Sequence, residues 1–386
     1  MSANTLTGLI PAIQVAANKV MREQIGFLPA VYMNSAAEDA AIGQNIQYPI
    51  VPAMTSSDIT AAAVPTDPDG RTLSYGTMSI SKSKKIAFPW TGEEQASIAN
   101  IYSDVEAQTF EQAFRRLVNE VEADLFAAAK GGASYAYGTA GNTPFGTANV
   151  LTDLAKVREY LVRNGAWGGD MHMVLSPEAG SNIRGIQSSL FKVNEAGDAE
   201  LLREGTLGRL QGFQFHESGQ IVQHIKGTGT GYLVDLTAGY GAGSTKIHVD
   251  TGANTIVVGD IITNTKTGRD TNKYVVNTGF AGDGDGDIEI GKPGLKIAWV
   301  NNDPVTVGAN YTGNWAFNRQ AIHLVARVPK LPKEGALGEH TVITDPFSGL
   351  SFLVSHYPAY HKIIWEVSLA WGVKAVNSEA IVCLLG

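Results

Sequence analysis

The chain has 386 residues, 44% of them hydrophobic and only 17% charged, with 43 glycines and a formal net charge of -8. That length allows two or three domains and a large buried core, and so low a charge content suits a protein that covers much of its surface with partners. The acidic balance argues against a dedicated nucleic-acid-binding face, and the single cysteine, Cys383, excludes an internal disulfide framework and a cysteine-based zinc site.

Residues 9–25 read as an amphipathic helix, with Leu9, Ile13, Ala16, Val20 and Met21 near one face, Pro11 in the first turn and Gly26 as the stop. The first twenty residues lack the basic start and unbroken apolar core of a signal peptide, and no window reaches the roughly 18 apolar residues of a membrane span. A soluble chain that folds in a reducing cytosol is expected. Residues 46–90 change character. Ile46, Tyr48 and Ile50 alternate, Pro49, Pro52, Pro65 and Pro68 interrupt, and DPDG at 67–70 signals a turn. Met78, Ile80 and Ser81 to Lys85 read as the returning strand. An isolated hairpin is marginal in water, so this arm is expected to lie on something else.

Residues 104–130 carry the clearest helical pattern: Val105, Phe110, Phe114, Leu117, Val121 and Leu125 keep an apolar stripe. Ser103 or Asp104 can cap it and Gly131-Gly132 stop it. Glu111 with Arg115 and Arg116 with Glu120 are i,i+4 pairs on its other faces. About 26 residues at 1.5 Å each make a strut of roughly 40 Å. A second helix is expected over about 150–163, a strand over 171–175, and a short helix after Pro177 capped by Ser176. In GTLGRLQGFQFHESGQIV, residues 205–222, glycines punctuate, Phe213 and Phe215 alternate into a strand, and Ser218-Gly219 turns the chain back.

From about 226 to 313 glycine becomes dense. The short β-type runs IHV, TIVV, DIIT, KYVV, DIEI and KIAWV, separated by turns, read as a small barrel or sandwich inserted into the chain. The chain resumes with a strand over Arg319–Val328, and three more strands fill 350–385, one of them Ile363–Val373.

Motifs that would carry chemistry fail in detail. GDIEIGK at 286–292 has phosphate-loop spacing, but Pro293 stands where the loop needs Ser or Thr, and Asp287 and Glu289 would repel phosphates. Asp283, Asp285 and Asp287 start like a calcium loop, yet Ile288 and Gly294 replace the required Gly and Glu. They read as a solvated turn, with a weak cation site or an acidic contact to a neighbouring subunit as alternatives. His356 and His361 flank Pro358 without ligand spacing, and no Gly-x-Ser-x-Gly elbow exists. No catalytic, cofactor or metal residue is assigned, and an enzyme is not expected. Arg71, Lys82, Lys84 and Lys85 make the arm locally basic. They read either as a lysine-protected edge or as a contact to Glu120, Glu122 and Asp124 of another copy.

The ordered segments IPAIQVAANKV, the Pro-broken arm, the long helix ending AAAKGG, VLSPEAGSNIRGI, GTLGRLQGFQF, a β insert and SLAWGVKAVNSEAIVCLLG resemble the major capsid proteins of tailed bacteriophages. The nearest subgroup is the short-tailed-phage coat proteins with an inserted β-barrel, on Val258-Gly259-Asp260, Tyr274-Val275-Val276 and Ile288-Glu289-Ile290 in that order. The resemblance implies an α+β Hong Kong 97-type fold: an N-terminal arm at 1–43, an extended loop at 44–95, a peripheral domain at 96–175 with a spine helix at 104–130, and an axial domain at 176–225. A barrel at 226–313 and return strands at 314–386 complete it. It further implies an icosahedral shell of hexamers and pentamers enclosing double-stranded DNA without reading its sequence. Scaffolding, portal and decoration proteins would be partners, no membrane is involved, and assembly would take place in the host bacterial cytoplasm. An encapsulin-like compartment and a β-rich adhesion or carbohydrate-binding protein are the rival readings.

Overall fold

The computed structural model describes residues 21–50, 56, 58–59, 74–97, 102–146, 150–190, 208–332 and 337–386. Arg71, the DPDG turn and most of the helix expected over 9–25 lie outside them, and residues 21–25 have no regular structure.

The long helix spans Tyr102–Gly132, 31 residues, or about 46 Å. Its stripe is core: Phe110, Phe114, Leu117, Val121 and Leu125 are each at most 1% exposed. The stripe packs on a six-stranded sheet built around Lys362–Ala375, which pairs with Lys82–Thr91, Ser351–Ala359 and Ile322–Pro329. Tyr32–Ala40 joins Ile322–Pro329 in parallel, and Glu339–Thr344 pairs with Ser351–Ala359 at the other edge. The ring of Phe110 stands edge-on to Trp365 at 5.2 Å and to Phe88 at 4.9 Å, and Phe114 meets Phe352 at 5.0 Å. Such pairs contribute about 0.5–1.5 kcal/mol each beyond their burial.

Asn45–Ile50 and Ser74–Ser79 form a separate two-stranded sheet. Its support comes from the body: Met78 and Ile80 are buried with Val325 and Ala370, and Ile46 and Tyr48 pack against them. The expected returning strand is therefore two strands, Ser74–Ser79 and Lys82–Thr91. Ile80 and Ser81 carry the chain between sheets, their amides donating to Gln44 O and Trp371 O.

In the second sheet Met171–Leu175 lies between Phe213–Glu217, parallel, and Gly313–Asn318, antiparallel. Ile381–Leu385 and Tyr135–Gly138 continue the sheet. Leu154, Val157 and Leu161 from the helix Val150–Arg163, with Ala179 and Ile183 from the helix Pro177–Leu190, share its core. Ser176 Oγ accepts from Ala179 N at 3.3 Å, which is the expected cap. Gln211 and Gly212, both at positive φ, turn Arg209–Leu210 back onto Phe213–Glu217. A Cβ at Gly212 would lie 2.7 Å from the Trp167 ring, so bare backbone is required there.

Six strands close into a barrel. The order is Ile261–Asn264, Pro304–Val307, Tyr232–Val234, Lys246–Gly252, Gly284–Ile290, Lys273–Thr278 and back to Ile261–Asn264. Tyr232, Val234, Ile247, Val249, Tyr274, Ile288 and Trp299 fill its interior. Lys273–Thr278 also pairs with Tyr135–Gly138, which joins barrel to body. Two expected runs, TIVV and KIAWV, are not strands and make single bridges, Ile256 to Phe280 and Trp299 to Tyr240. Their apolar residues fill the core from irregular backbone. Tyr232–Val234 and Pro304–Val307 do the pairing instead.

Candidate subunit-contact surfaces

The strand Lys82–Thr91 brings the arm's lysines to the acidic side of the long helix, within one chain. Lys82 Nζ lies 2.7 Å from Asp124 Oδ1, and Lys84 Nζ 2.6 Å from Glu120 Oε2. Asp124 accepts a second bond, 2.8 Å, from Trp371 Nε1, and Arg116 Nε reaches Glu120 at 3.1 Å. Lys85 goes to Glu366 at 2.9 Å; this hydrogen bond raises its pKa. Exposed pairs of this kind contribute at most about 1 kcal/mol. The expected partners thus meet, but inside a single copy.

Glu122 is different. It is fully buried and its carboxylate binds the chain's own backbone: Oε1 accepts from Gly26 N at 2.5 Å and Phe27 N at 2.7 Å, and Oε2 from Leu28 N at 3.1 Å. That corrects the expectation for this residue, because a group enclosed in its own subunit has no surface to offer another. It anchors the N-terminal segment on the helix. Arg115, expected to pair with Glu111, instead holds Glu23 through both Nε, at 2.6 Å, and its terminal nitrogen, while Asn119 adds a bond at 2.8 Å. The Arg115 hydrogen bond draws the Glu23 carboxyl down to about 2. Arg22 pairs with Asp345.

A part-buried polar chain ties the second sheet to the same segment. His172, fully buried, has Nδ1 3.0 Å from His216 Nε2 and Nε2 2.8 Å from Asp170 Oδ1. Arg319 donates to Asp170 Oδ2 at 2.6 Å and to Pro29 O at 2.8 Å, with its other terminal nitrogen 3.0 Å from His172 Nε2. Burial, then the neighbouring His172 and Arg319, push His216 down to about 4, and burial lowers His172 as well. Both shifts favour the neutral imidazole. Sequence reasoning missed this group and the role of Glu122. A carboxylate bordering the stripe at Val118, Val121 and Leu125 was the available signal for Glu122.

The acidic run of the barrel is a strand, Gly284–Ile290, rather than a turn. Alternation of Gly and Asp turns Asp285 and Asp287 outward, while a Cβ on Gly286 would sit 2.0 Å from the Phe280 ring. Asp283 accepts from Asn254 N at 2.5 Å. Lys246 Nζ lies 2.7 Å from Asp287 Oδ2. His248 places Nδ1 2.8 Å from Asp287 Oδ1 and Nε2 2.5 Å from Asp285 Oδ1. The hydrogen bond to Asp287 raises its pKa. Among the described residues no helix is long and apolar enough to cross a membrane.

No family model and no curated protein matches this sequence. Solved structures do match in fold. A chain described as Mycobacterium phage Che8 is 14% identical with a TM-score of 0.52, covering 95% of this chain and 93% of its own. A chain of the capsid structure of the cyanophage P-SCSP1u is 10% identical with a TM-score of 0.50, covering 95% and 89%. The chain therefore has the α+β Hong Kong 97-type fold expected from its ordered segments, with a closed barrel added.

Proposed function

We propose that this chain is a major capsid protein of the tailed-phage type, whose copies assemble into an icosahedral shell around double-stranded DNA. The observation that carries the reading is the fold match over 95% of the chain with a chain from a phage capsid structure. Fold alone does not dictate function, but the match covers 95% of this chain and 89% of that one rather than one portable domain.

The physical features agree. Asn45–Ile50 and Ser74–Ser79 form a two-stranded arm that shares only a small core with the body. A slender element of this kind gains most when further surface covers it, as a neighbouring copy would. In this reading the arm, with Arg71, is the principal contact between copies arranged as hexamers and pentamers, and each modest contact is multiplied by closure of the shell. The ion pairs of Lys82 and Lys84 then set the arm's base within the subunit. Scaffolding, portal and decoration proteins are the further partners proposed, and the virion, formed in the host cytoplasm, is the location. The domain limits proposed from sequence are retained, with barrel strands running from Tyr232 to Val307 inside the 226–313 insert.

The test is negative-stain microscopy with sedimentation velocity on the purified chain. Closed shells, or sheets and spirals of capsomers, are the expected result. A monomer at every concentration and ionic strength, with crowding agent present, overturns the reading. Nucleic acid inside the shells separates a viral coat from a protein-cargo compartment.

A further inference from the structure

We propose that Asp235, His248 and Asp285 form a binding site on the outer face of the barrel for a divalent cation of the zinc class, with Asp287 holding the histidine from behind. The inference stands on barrel geometry and is independent of the shell assignment.

Barrel register assembles the group. His248 sits directly opposite Asp287 on the neighbouring strand, and Val249 opposite Val234 on the other side. Asp235 follows Val234, and its amide donates to His248 O at 3.0 Å. Side chains alternate across a strand. Ile247, Val249 and Ile288 point into the core at 0% exposure, so His248, Asp285 and Asp287 face outward. One ligand atom from each of Asp235, His248 and Asp285 lies within 4.8 Å of the other two. Zinc binds nitrogen and carboxylate oxygen at about 2.0–2.2 Å, so two ligands of one ion stand up to about 4 Å apart. His248 Nε2 and Asp285 Oδ1 are closer than that, at 2.5 Å, so an ion would seat as these exposed side chains rotate apart.

Two further features fit a metal rather than a chance grouping of acids. Metal-binding histidines usually hand their second nitrogen to a carboxylate, which orients the ring and raises its basicity. Here Nδ1 meets Asp287 Oδ1 at 2.8 Å and Lys246 neutralises the other oxygen of Asp287 at 2.7 Å, while Nε2 meets Asp285 Oδ1 at 2.5 Å, a contact whose shared proton an incoming ion would displace. The donor set also selects the ion. Calcium takes six to eight oxygens, whereas one imidazole and two carboxylates suit zinc or cobalt. The aspartates that resemble the start of a calcium loop thus serve a different site, completed by residues 37 or more positions upstream.

Calorimetric titration of the full chain with ZnCl2, repeated with Co2+ and read by visible absorption, tests this. Saturable uptake of one ion per chain is expected. His248→Ala and Asp285→Asn should abolish it, and Asp287→Asn should weaken it by about 10–100-fold. Far-UV circular dichroism and thermal unfolding check that each variant is folded. Asp285, 76% exposed at its side chain, is the substitution that leaves the barrel intact should His248→Ala disturb it. Absence of saturable uptake by the wild type overturns the proposal. So does uptake unchanged in folded Asp285→Asn or His248→Ala.

Discussion

Replacing Glu122 tests how the N-terminal segment is held on the spine helix. In Glu122→Ala three amides, Gly26, Phe27 and Leu28, lose their acceptor in a buried site. Each unsatisfied buried donor costs about 1–3 kcal/mol. Part is returned because burial of the carboxylate itself opposes ionisation and raises its pKa. The net expectation is a loss of about 2–4 kcal/mol. Glu122→Gln separates the two effects. Its carbonyl oxygen can keep the bonds to Gly26 and Phe27, which share Oε1, while its amide group faces Leu28 N–H. That variant leaves one buried donor unsatisfied instead of three and should lose about 1–3 kcal/mol, less than Ala. The pH dependence has a definite sign. A carboxyl whose folded pKa lies above its ordinary 4.5 binds more protons in the folded state, so its contribution falls as pH rises past 4.5. The Gln variant lacks that slope. Urea unfolding of the unassembled subunit followed by tryptophan fluorescence measures both variants, and hydrogen exchange reads residues 26–28 directly. An Ala variant within 1 kcal/mol of wild type, or one no worse than Gln, would refute the anchoring role.

Two other predictions concern the sheets. His216 is held down at about 4 against an ordinary 6.5, so the unfolded chain binds more protons between those values and stability should fall as pH drops from 6.5 to 4. The loss is at most about 3 kcal/mol, and His216→Gln should flatten it in denaturant midpoints measured across that range; an unchanged slope would place the proton elsewhere. At the arm's base, Lys84→Ala should cost under about 1 kcal/mol, as exposed pairs do. Asp124→Ala should cost about 1–3 kcal/mol, because Trp371 Nε1 loses its acceptor in a part-buried site. Equal midpoints for the two variants would contradict this ordering.

What was legible in the sequence is what local periodicity encodes. The stripe from Phe110 to Leu125, the helix over 150–163, the strand MHMVL and the Ser176 cap each follow from spacing and backbone chemistry within a few residues, and all are present. The order of such segments along the chain also pointed to the fold. Barrel pairing was harder to read. TIVV and KIAWV look like strands because they are apolar, but burial and pairing are different requirements, and irregular backbone can bury Ile256 and Trp299 equally well. Glycine runs such as GDGDGD look like turns until the Phe280 ring explains why a strand there needs Gly286.

Charge shows the same division. Composition alone shows an acidic protein with one cysteine, and places lysines on the arm and carboxylates on the helix that need partners. Which groups pair emerges from the folded chain: Lys84 with Glu120 of its own chain, Glu122 with three backbone amides, His248 with aspartates 37 and 39 residues downstream. The physical reason is range. Helix and strand preferences act over a few residues, whereas an ion pair or a buried acceptor is settled by which distant strands close against each other and how much water they exclude.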